Sequence, residues 1–257
     1  MDWRYQILKR TGFSVYRKTG TSGKTLEFLG TSGVGKTTLF NGCLRKLRNR
    51  WFSSYHMEFL NRTVRSCEPD EILMQILKRK VEKILYSDSF CPWHSLIDLK
   101  LSVKVMYDTM LAVQSTHPMG FAFHEGLFRH FCAEILELHD DFPAELWKSR
   151  AFVYLRARSP ETALSRLSFR RNIKAKTHSQ RVITDDELLL RITSDQLKFE
   201  SIVDKALSYG CPVLVLDAED PIQASIEKVL HFERSLIQKF KMQENRDLNT
   251  NLIPGNQ

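Results

Sequence analysis

Eight residues near the start of the chain, Gly30 to Thr37, constrain its fold more than any other feature. Their sequence is Gly-Thr-Ser-Gly-Val-Gly-Lys-Thr, which has the residue types and spacing of a phosphate-binding loop. In such a loop, glycines let backbone N–H groups turn inward, and the helix that follows adds its positive end. The apolar stretch Thr25–Leu29 precedes the loop and an amphipathic helical pattern follows it. The motif therefore occurs between a strand and a helix, as this interpretation requires.

The loop predicts roles for individual residues. Lys36 would reach the β- and γ-phosphates of a nucleotide, and the Thr37 hydroxyl would ligate Mg²⁺. We therefore expect ATP and Mg²⁺ as ligand and cofactor. The residues expected to bind them are Gly30, Thr31, Ser32, Gly33, Val34, Gly35, Lys36, Thr37 and Thr38.

Apolar runs alternate with helical patterns along the rest of the chain. Most of the runs are continuously apolar, which is typical of parallel strands buried on both faces. The sequence therefore predicts an α/β fold with a largely parallel sheet covered by helices on both sides. The predicted strands are Thr25–Leu29, Tyr55–Leu60, Gly120–Phe123, Ala151–Leu155 and Pro212–Leu216; the predicted helices follow the loop and cover residues 69–86, 95–113, 127–139, from 160 onward, 185–209 and 221–240.

The length of 257 residues fits one α/β core with ragged ends. We expect a basic extension at residues 1–24, a domain at residues 25–240 and a disordered tail at residues 241–257. Two helical patterns within residues 61–115 are expected to cover the acceptor side of the site.

Composition argues for a cytoplasmic protein without a membrane anchor. No apolar run approaches the ~18 residues that a transmembrane helix needs. The five cysteines are scattered and form no metal-ligand pair, which fits a reducing compartment. The net charge of +8 needs no nucleic acid to explain it, because nucleotide phosphates would suffice. Lys78 to Lys80 is an isolated basic cluster, and we interpret it as a solvated helix face.

Charged residues that follow two later strands are the candidate catalytic groups. His124, Glu125 and Gly126 follow the strand at Gly120–Phe123, at the strand end where open α/β sheets bind their ligands. A carboxylate there can hold metal-bound water or accept a proton from a hydroxyl group. Arg166 and Arg170 lie four residues apart on one face of the helix after the next strand. Their charges would be met by a bound triphosphate.

These features together resemble the P-loop nucleoside and nucleotide kinases, particularly thymidylate-kinase-like members. The matching segments lie between residues 25 and about 235: the loop, His124-Glu125-Gly126, Phe152–Leu155 with Ser159–Arg166, and Val213–Ala218. The resemblance implies a three-layer α/β/α fold with a five-stranded parallel sheet and the loop strand at its centre. It further implies an arginine-bearing lid at residues 166–184 and a nucleotide base against residues 217–221.

The chain departs from that family at two places. The family has an aspartate where this chain has His124-Glu125, so the acidic position falls on one of these two residues. The family's acceptor-binding arginine corresponds only loosely to Arg62 or Arg65. A small acceptor of the nucleoside, nucleotide or sugar type is therefore expected without a choice among them, and a homodimer is compatible with the sequence.

Two other functions remain open from the sequence. Tyr154 to Pro160, with Ser165, also resembles the segment that sulfotransferases place against a 3′-phosphate, although those enzymes seldom carry a complete Gly-Lys-Thr loop. A non-catalytic nucleotide-binding protein is the third reading. The sequence contains neither the Asn-Lys-x-Asp motif of GTPases nor the Leu-Ser-Gly-Gly signature of transporter ATPases.

Overall fold

The computed structural model describes residues 24–47, 50–53, 70–86, 92–114, 119–138, 144–174 and 184–250, and within these not the side chains of residues 92–94, 170–174 and 241–250. Its described part contains one five-stranded sheet in the order β2-β3-β1-β4-β5. Every pairing is parallel, and the strand before the phosphate-binding loop is central. The strands are β1 (Thr25–Leu29), β2 (Trp51–Ser53), β3 (Gly120–Phe123), β4 (Arg150–Arg156) and β5 (Val213–Asp217).

Helices follow the strands and cover the sheet. They are α1 (Lys36–Leu47), α2 (Glu71–Leu85), α3 (Pro92–Gln114), α4 (Leu127–His130), α5 (Cys132–Leu136), α6 (Pro160–Lys174), α7 (Asp185–Ser208) and α8 (Ile222–Thr250), with a short 3₁₀ turn at Ala144–Leu146. No helix in the described ranges is long and apolar enough to cross a membrane.

Successive residues of the central strand face opposite layers. Leu26 and Phe28 pack in a core with α1, α6 and α8. Leu29 packs on the other side, in a second core built from α2 to α5 and α7. Since side chains alternate along a strand, Glu27 shares the second face with Leu29. These two cores confirm the three-layer α/β/α architecture with a central parallel sheet of five strands.

Local sequence features explain where the site-bearing helices begin. The side chain of Ser159 accepts a hydrogen bond from the Thr162 amide at 3.4 Å, and Pro160 occupies the first position of α6. Thr184 and Glu187 form a reciprocal capping box at the start of α7.

The predicted strand at Tyr55–Leu60 lies outside the described residues, and the strand at Trp51–Ser53 was not predicted. Two predicted helix boundaries were wrong. The predicted single helix at 127–139 is two short helices, α4 and α5, interrupted at Phe131. The last helix continues from Phe240 to Thr250, within the segment predicted as a tail. Residues 1–23 of the predicted extension, 175–183 of the predicted lid and 251–257 of the tail lie outside the described residues.

Candidate active site

The loop between β1 and α1 has a backbone that depends on glycine. Gly30 and Gly33 have φ angles of 138° and 87°, in a region that residues with a Cβ avoid. Space is equally restricted there. A Cβ on Gly30 would lie 2.4 Å from the carbonyl oxygen of Leu155, and one on Gly33 would lie 2.5 Å from that of Ala163. The loop therefore packs directly on β4 and α6.

The ammonium group of Lys36 is enclosed by this loop. Lys36 is 7% exposed, and its Nζ donates hydrogen bonds to the carbonyl oxygens of Gly30 and Thr31, both at 2.6 Å. A buried charge needs such partners, because burial without them is costly. The hydroxyl of Thr31 is also buried and has no hydrogen-bond partner among the described residues. A buried cation and a buried hydroxyl in one loop fit an anionic ligand.

Thr37 and Thr38 lie in the first turn of α1, and both are exposed. The predicted second metal ligand, Glu125, is half-exposed beyond the end of β3. The described residues contain no group of three or more His, Cys, Asp or Glu side chains that could hold a metal ion. Mg²⁺ is commonly bound by one or two protein oxygens together with substrate phosphates. A hydroxyl and a carboxylate therefore fit this ion, and they would hold it jointly with a nucleotide.

His124 occupies the other position considered for the acidic group. Its ring stacks on Phe40 of α1, with ring centroids 5.0 Å apart and an interplanar angle of 28°. Burial lowers the pKa of His124, so the neutral imidazole is favoured. His124 thus packs against the helix of the loop, and Glu125 is the carboxylate that this turn contributes.

Arg129 links the Glu125 turn to the phosphate-binding loop. Its Nη1 donates to the carbonyl oxygen of Gly30 at 3.3 Å, and its Nη2 lies 3.5 Å from the Ser32 hydroxyl. Its Nε also lies 3.5 Å from the Glu125 carboxylate. Arg129 was not among the site residues predicted from the sequence. The available signal was its position four residues after Glu125, which places the two on one side of a helical turn.

Arg166 reaches the loop from α6. Its Nη1 donates to the carbonyl oxygen of Val34 at 3.3 Å, and its Nη2 donates to that of Ala218 at 3.2 Å. The structure thus joins the predicted arginine to the loop and to the turn after β5. Arg170 lies one helical turn further along α6, where side chains are outside the described part.

A cavity of about 560 Å³ opens beside the loop. Its wall combines backbone of the loop with apolar and polar side chains from α1, β4, α6, β5 and α8. The lining residues are Gly33, Val34, Gly35, Thr38, Leu155, Ser165, Arg166, Phe169, Asp217, Ala218, Asp220, Ile222 and Ser225. The volume is in the range typical of small-molecule sites.

The turn after β5 forms one side of this cavity and is held by Asp217. Arg158 donates to the Asp217 carboxylate at 2.6 Å, and the Glu219 amide donates to it at 2.8 Å. The hydrogen bond from Arg158 is the main cause that lowers the pKa of Asp217 to about 2. Asp217 is therefore an ionised anchor of the turn at any physiological pH.

No protein-family model matches this sequence, and no curated protein matches it either. Several solved structures are similar to this chain at low sequence identity. The deoxyadenosine kinase from M. mycoides, with dCMP and dCDP bound, is 16% identical, with a TM-score of 0.47 over 82% of this chain and 99% of that chain. A gluconokinase from Sinorhizobium meliloti 1021 is 15% identical, with a TM-score of 0.41 over 86% and 98%. The shikimate kinase from Bacteroides thetaiotaomicron is 16% identical, with a TM-score of 0.41 over 82% and 98%.

Proposed function

We propose that this chain is a P-loop kinase that transfers the γ-phosphoryl group of ATP to a hydroxyl group of a small acceptor. One observation carries the proposal: three cationic side chains, Lys36, Arg129 and Arg166, converge on the carbonyl oxygens of a single glycine-turned loop. Cations directed at one loop are costly unless an anion meets them. A polyphosphate is the anion that such a loop accommodates.

The cavity beside the loop supports a nucleoside triphosphate over a simple phosphate. Leu155, Phe169 and Ile222 supply apolar surface for a base. Arg166 lines the same cavity and donates a hydrogen bond to the carbonyl oxygen of Val34 in the loop. The carbonyl oxygen of Ala218 faces Arg166 on the same wall. A base in this cavity would thus continue directly into phosphates held by the loop.

Phosphoryl transfer requires protein groups near the attacking oxygen of the acceptor and near the leaving oxygen of ATP. The acceptor oxygen would form a bond to the γ-phosphorus, the bond to the β–γ bridging oxygen would break, and ADP would leave. Glu125 would take the proton of the acceptor hydroxyl, and its half-exposed carboxylate is reachable for that purpose. Lys36, Arg129 and Arg166 would offset charge on the transferred group. When bound by Thr37 and Glu125, Mg²⁺ would supply further charge neutralisation at the phosphate oxygens.

The sulfotransferase alternative has less support. Arg156 and Arg158, the basic residues of that segment, are each paired with a carboxylate: Arg156 with Glu200 at 2.9 Å and Arg158 with Asp217 at 2.6 Å. These pairs leave less positive charge for a 3′-phosphate than the loop leaves for a triphosphate. A non-catalytic nucleotide-binding protein would bind ATP without any release of ADP stimulated by an acceptor, and this difference separates that alternative from a kinase.

Isothermal titration calorimetry with ATP and Mg²⁺ tests the proposal first. We expect binding by the wild-type protein and none, or much weaker binding, by Lys36→Ala. Lys46→Ala is the matched control, because Lys46 is an exposed lysine at the far end of the same helix. A screen of hydroxyl-bearing acceptors for stimulated ADP release tests the reaction, and Glu125→Gln should abolish the stimulation while retaining ATP binding. Binding of a 3′-phosphoadenylyl sulfate donor instead of ATP, or an unaffected Lys36→Ala variant, would contradict the proposal.

A further inference from the structure

A carboxylate is buried in the central strand, directly ahead of the phosphate-binding loop. Glu27 is 2% exposed and lies between Phe123 of β3 and Phe152 of β4. Burying a carboxylate is expensive unless hydrogen bonds and opposite charges compensate it. An apolar residue would fit a central strand at lower cost, so Glu27 requires compensating contacts.

The Glu27 carboxylate accepts hydrogen bonds from the first turn of α4. Its Oε1 accepts the backbone N–H of Arg129 at 3.1 Å, and the carboxylate also accepts that of Phe128. Such N–H groups have no acceptor within their own helix. Gly126, the N-cap residue of α4, has no side chain with which to cap it. Glu27, in the neighbouring strand β1, therefore caps the N-terminus of α4.

Gly126 is shaped to admit this carboxylate. A Cβ at Gly126 would lie 2.6 Å from Cδ of Glu27 and 2.7 Å from its Oε2. Atoms cannot approach so closely, so any larger residue would displace either the carboxylate or the turn. Glycine is therefore required at position 126 by the close approach of Glu27, whereas its backbone angles alone would allow other residues.

Arg150 completes the arrangement on the β4 side. It is buried, at 5% exposed, and its charge favours the ionised form of Glu27. Its guanidinium also lies over the ring of Phe128, 5.3 Å from the centroid. The carboxylate therefore holds the backbone of Phe128 while the guanidinium contacts its ring.

The residues fixed in this way are those that reach the nucleotide site. Glu125 precedes Gly126 directly, and the side chain of Arg129 extends to Gly30 and Ser32 of the loop. We propose that Glu27 is a positioning residue for phosphoryl transfer, which holds the first turn of α4 so that Glu125 and Arg129 stay aligned with the phosphate-binding loop. This inference rests on the kinase function proposed above.

Amide hydrogen exchange tests the contact without requiring any enzymatic activity. In Glu27→Gln, which keeps the size of the side chain but loses its charge and one acceptor oxygen, the amides of Phe128 and Arg129 should exchange at least ~10-fold faster than in the wild type. Glu233→Gln is the matched control. Glu233 lies in α8, is also fully buried, and accepts hydrogen bonds from the side chains of Trp51 and Arg50. Wild-type protection of Arg129 in Glu27→Gln would overturn the proposal.

Gly126→Ala disturbs the same contact through the residue opposite Glu27. It provides the test if Glu27→Gln does not fold. It should accelerate exchange at Arg129, whereas Gly42→Ala should not, since a Cβ at Gly42 meets only the end of the Ile226 side chain. In the double variant of Glu27 and Gly126, the losses of stability should be clearly less than additive. Additive losses would show that the two residues do not act through one contact, against the proposal.

Kinetics separate positioning from mere structural support. With an acceptor that supports turnover, Glu27→Gln should lower kcat on the order of 100-fold with little change in the dissociation constant for ATP. Glu233→Gln should leave both quantities unchanged. Lost amide protection with unchanged kcat would refute the positioning role. If the wild-type protein transfers no phosphoryl group to any acceptor, the proposed function fails, and the exchange experiment still decides whether Glu27 holds the turn.

Discussion

The guanidinium of Arg129 donates a hydrogen bond to the carbonyl oxygen of Gly30, the first residue of the phosphate-binding loop, over 3.3 Å. The same carbonyl oxygen accepts a hydrogen bond from Lys36 at 2.6 Å. Two cations therefore share one acceptor at the entrance to the loop. Because His130 beside Arg129 is partly buried, its pKa falls to about 4, and it adds no charge near neutral pH. Arg129 is thus the cation that the α4 turn contributes to the site.

Replacing Arg129 by alanine should lower kcat by about 100-fold, since fixed charge near a transferred phosphoryl group acts mainly in the transition state. Steady-state kinetics at saturating ATP measures the effect. Arg45→Ala is the control, because Arg45 is an exposed arginine in the last turn of α1. Equal kcat values for Arg129→Ala and Arg45→Ala would show that the Arg129 contact has no part in the reaction.

Replacing Arg166 by alanine should weaken ATP binding about tenfold, which corresponds to the loss of roughly 1.5 kcal/mol from hydrogen bonds with a charged donor. Arg166 joins Val34 of the loop to Ala218 of the turn after β5, so its loss loosens both walls of the cavity. Calorimetric titration gives the dissociation constant. Arg191→Ala, a change at an exposed position of α7, should leave it unchanged, and an equal effect of both variants would argue against the cavity as the nucleotide site.

Alanine substitutions at two glycines of the loop should differ in their effect on stability. Both Gly33 and Gly35 have positive φ angles, of 87° and 100°, so each variant carries backbone strain of about 1–2 kcal/mol. Only at Gly33 would the new Cβ also strike backbone, at the carbonyl oxygen of Ala163; at Gly35 it meets open space. Urea unfolding should therefore show the larger loss for Gly33→Ala. Equal losses would mean that α6 moves away from the loop at little cost.

Stability should depend on pH through Glu27. Burial raises the pKa of this carboxyl from 4.5 to about 7, while Arg150 and Arg129 act in the opposite direction. Between those values the folded protein keeps a proton that the unfolded chain has released. This contribution to stability is therefore present at low pH and is lost as pH rises towards 7, by roughly 3 kcal/mol.

Urea unfolding at pH 5 and pH 8 measures that dependence. The difference in unfolding free energy between the two pH values should shrink in Glu27→Gln, which has no proton to lose. Glu233→Gln is a demanding control, because burial also raises the pKa of Glu233. Glu233→Gln should remove only the part of the pH dependence that is due to Glu233. If Glu233→Gln removed all of the pH dependence and Glu27→Gln removed none, the assignment to Glu27 would be contradicted.

Lys36, Glu125 and Arg166 were named from the sequence, and their roles stay predictions. Local patterns were sufficient to predict the parallel sheet and the glycine-rich loop that follows its central strand. These features depend on short segments with strong constraints, such as glycines with positive φ and continuously apolar strands. The strand at Trp51–Ser53 was missed because three residues are too few to show a period. Neither Arg129 nor Glu27 was found, since the roles proposed for them rest on contacts between β1, the loop and α4, which lie far apart in the sequence. The available sequence signal for Glu27 was a glutamate within a mainly apolar strand, since carboxylates are rarely buried without a partner.

The close approach of Glu27 to Gly126 has a consequence for how sequences of this kind can diverge. The side chain of Glu27 leaves no room for a Cβ at position 126. In homologues with a smaller side chain at position 27, we expect alanine or serine to be tolerated at position 126, where serine could cap the turn. The two positions should accordingly change together over evolutionary time, as a correlated pair.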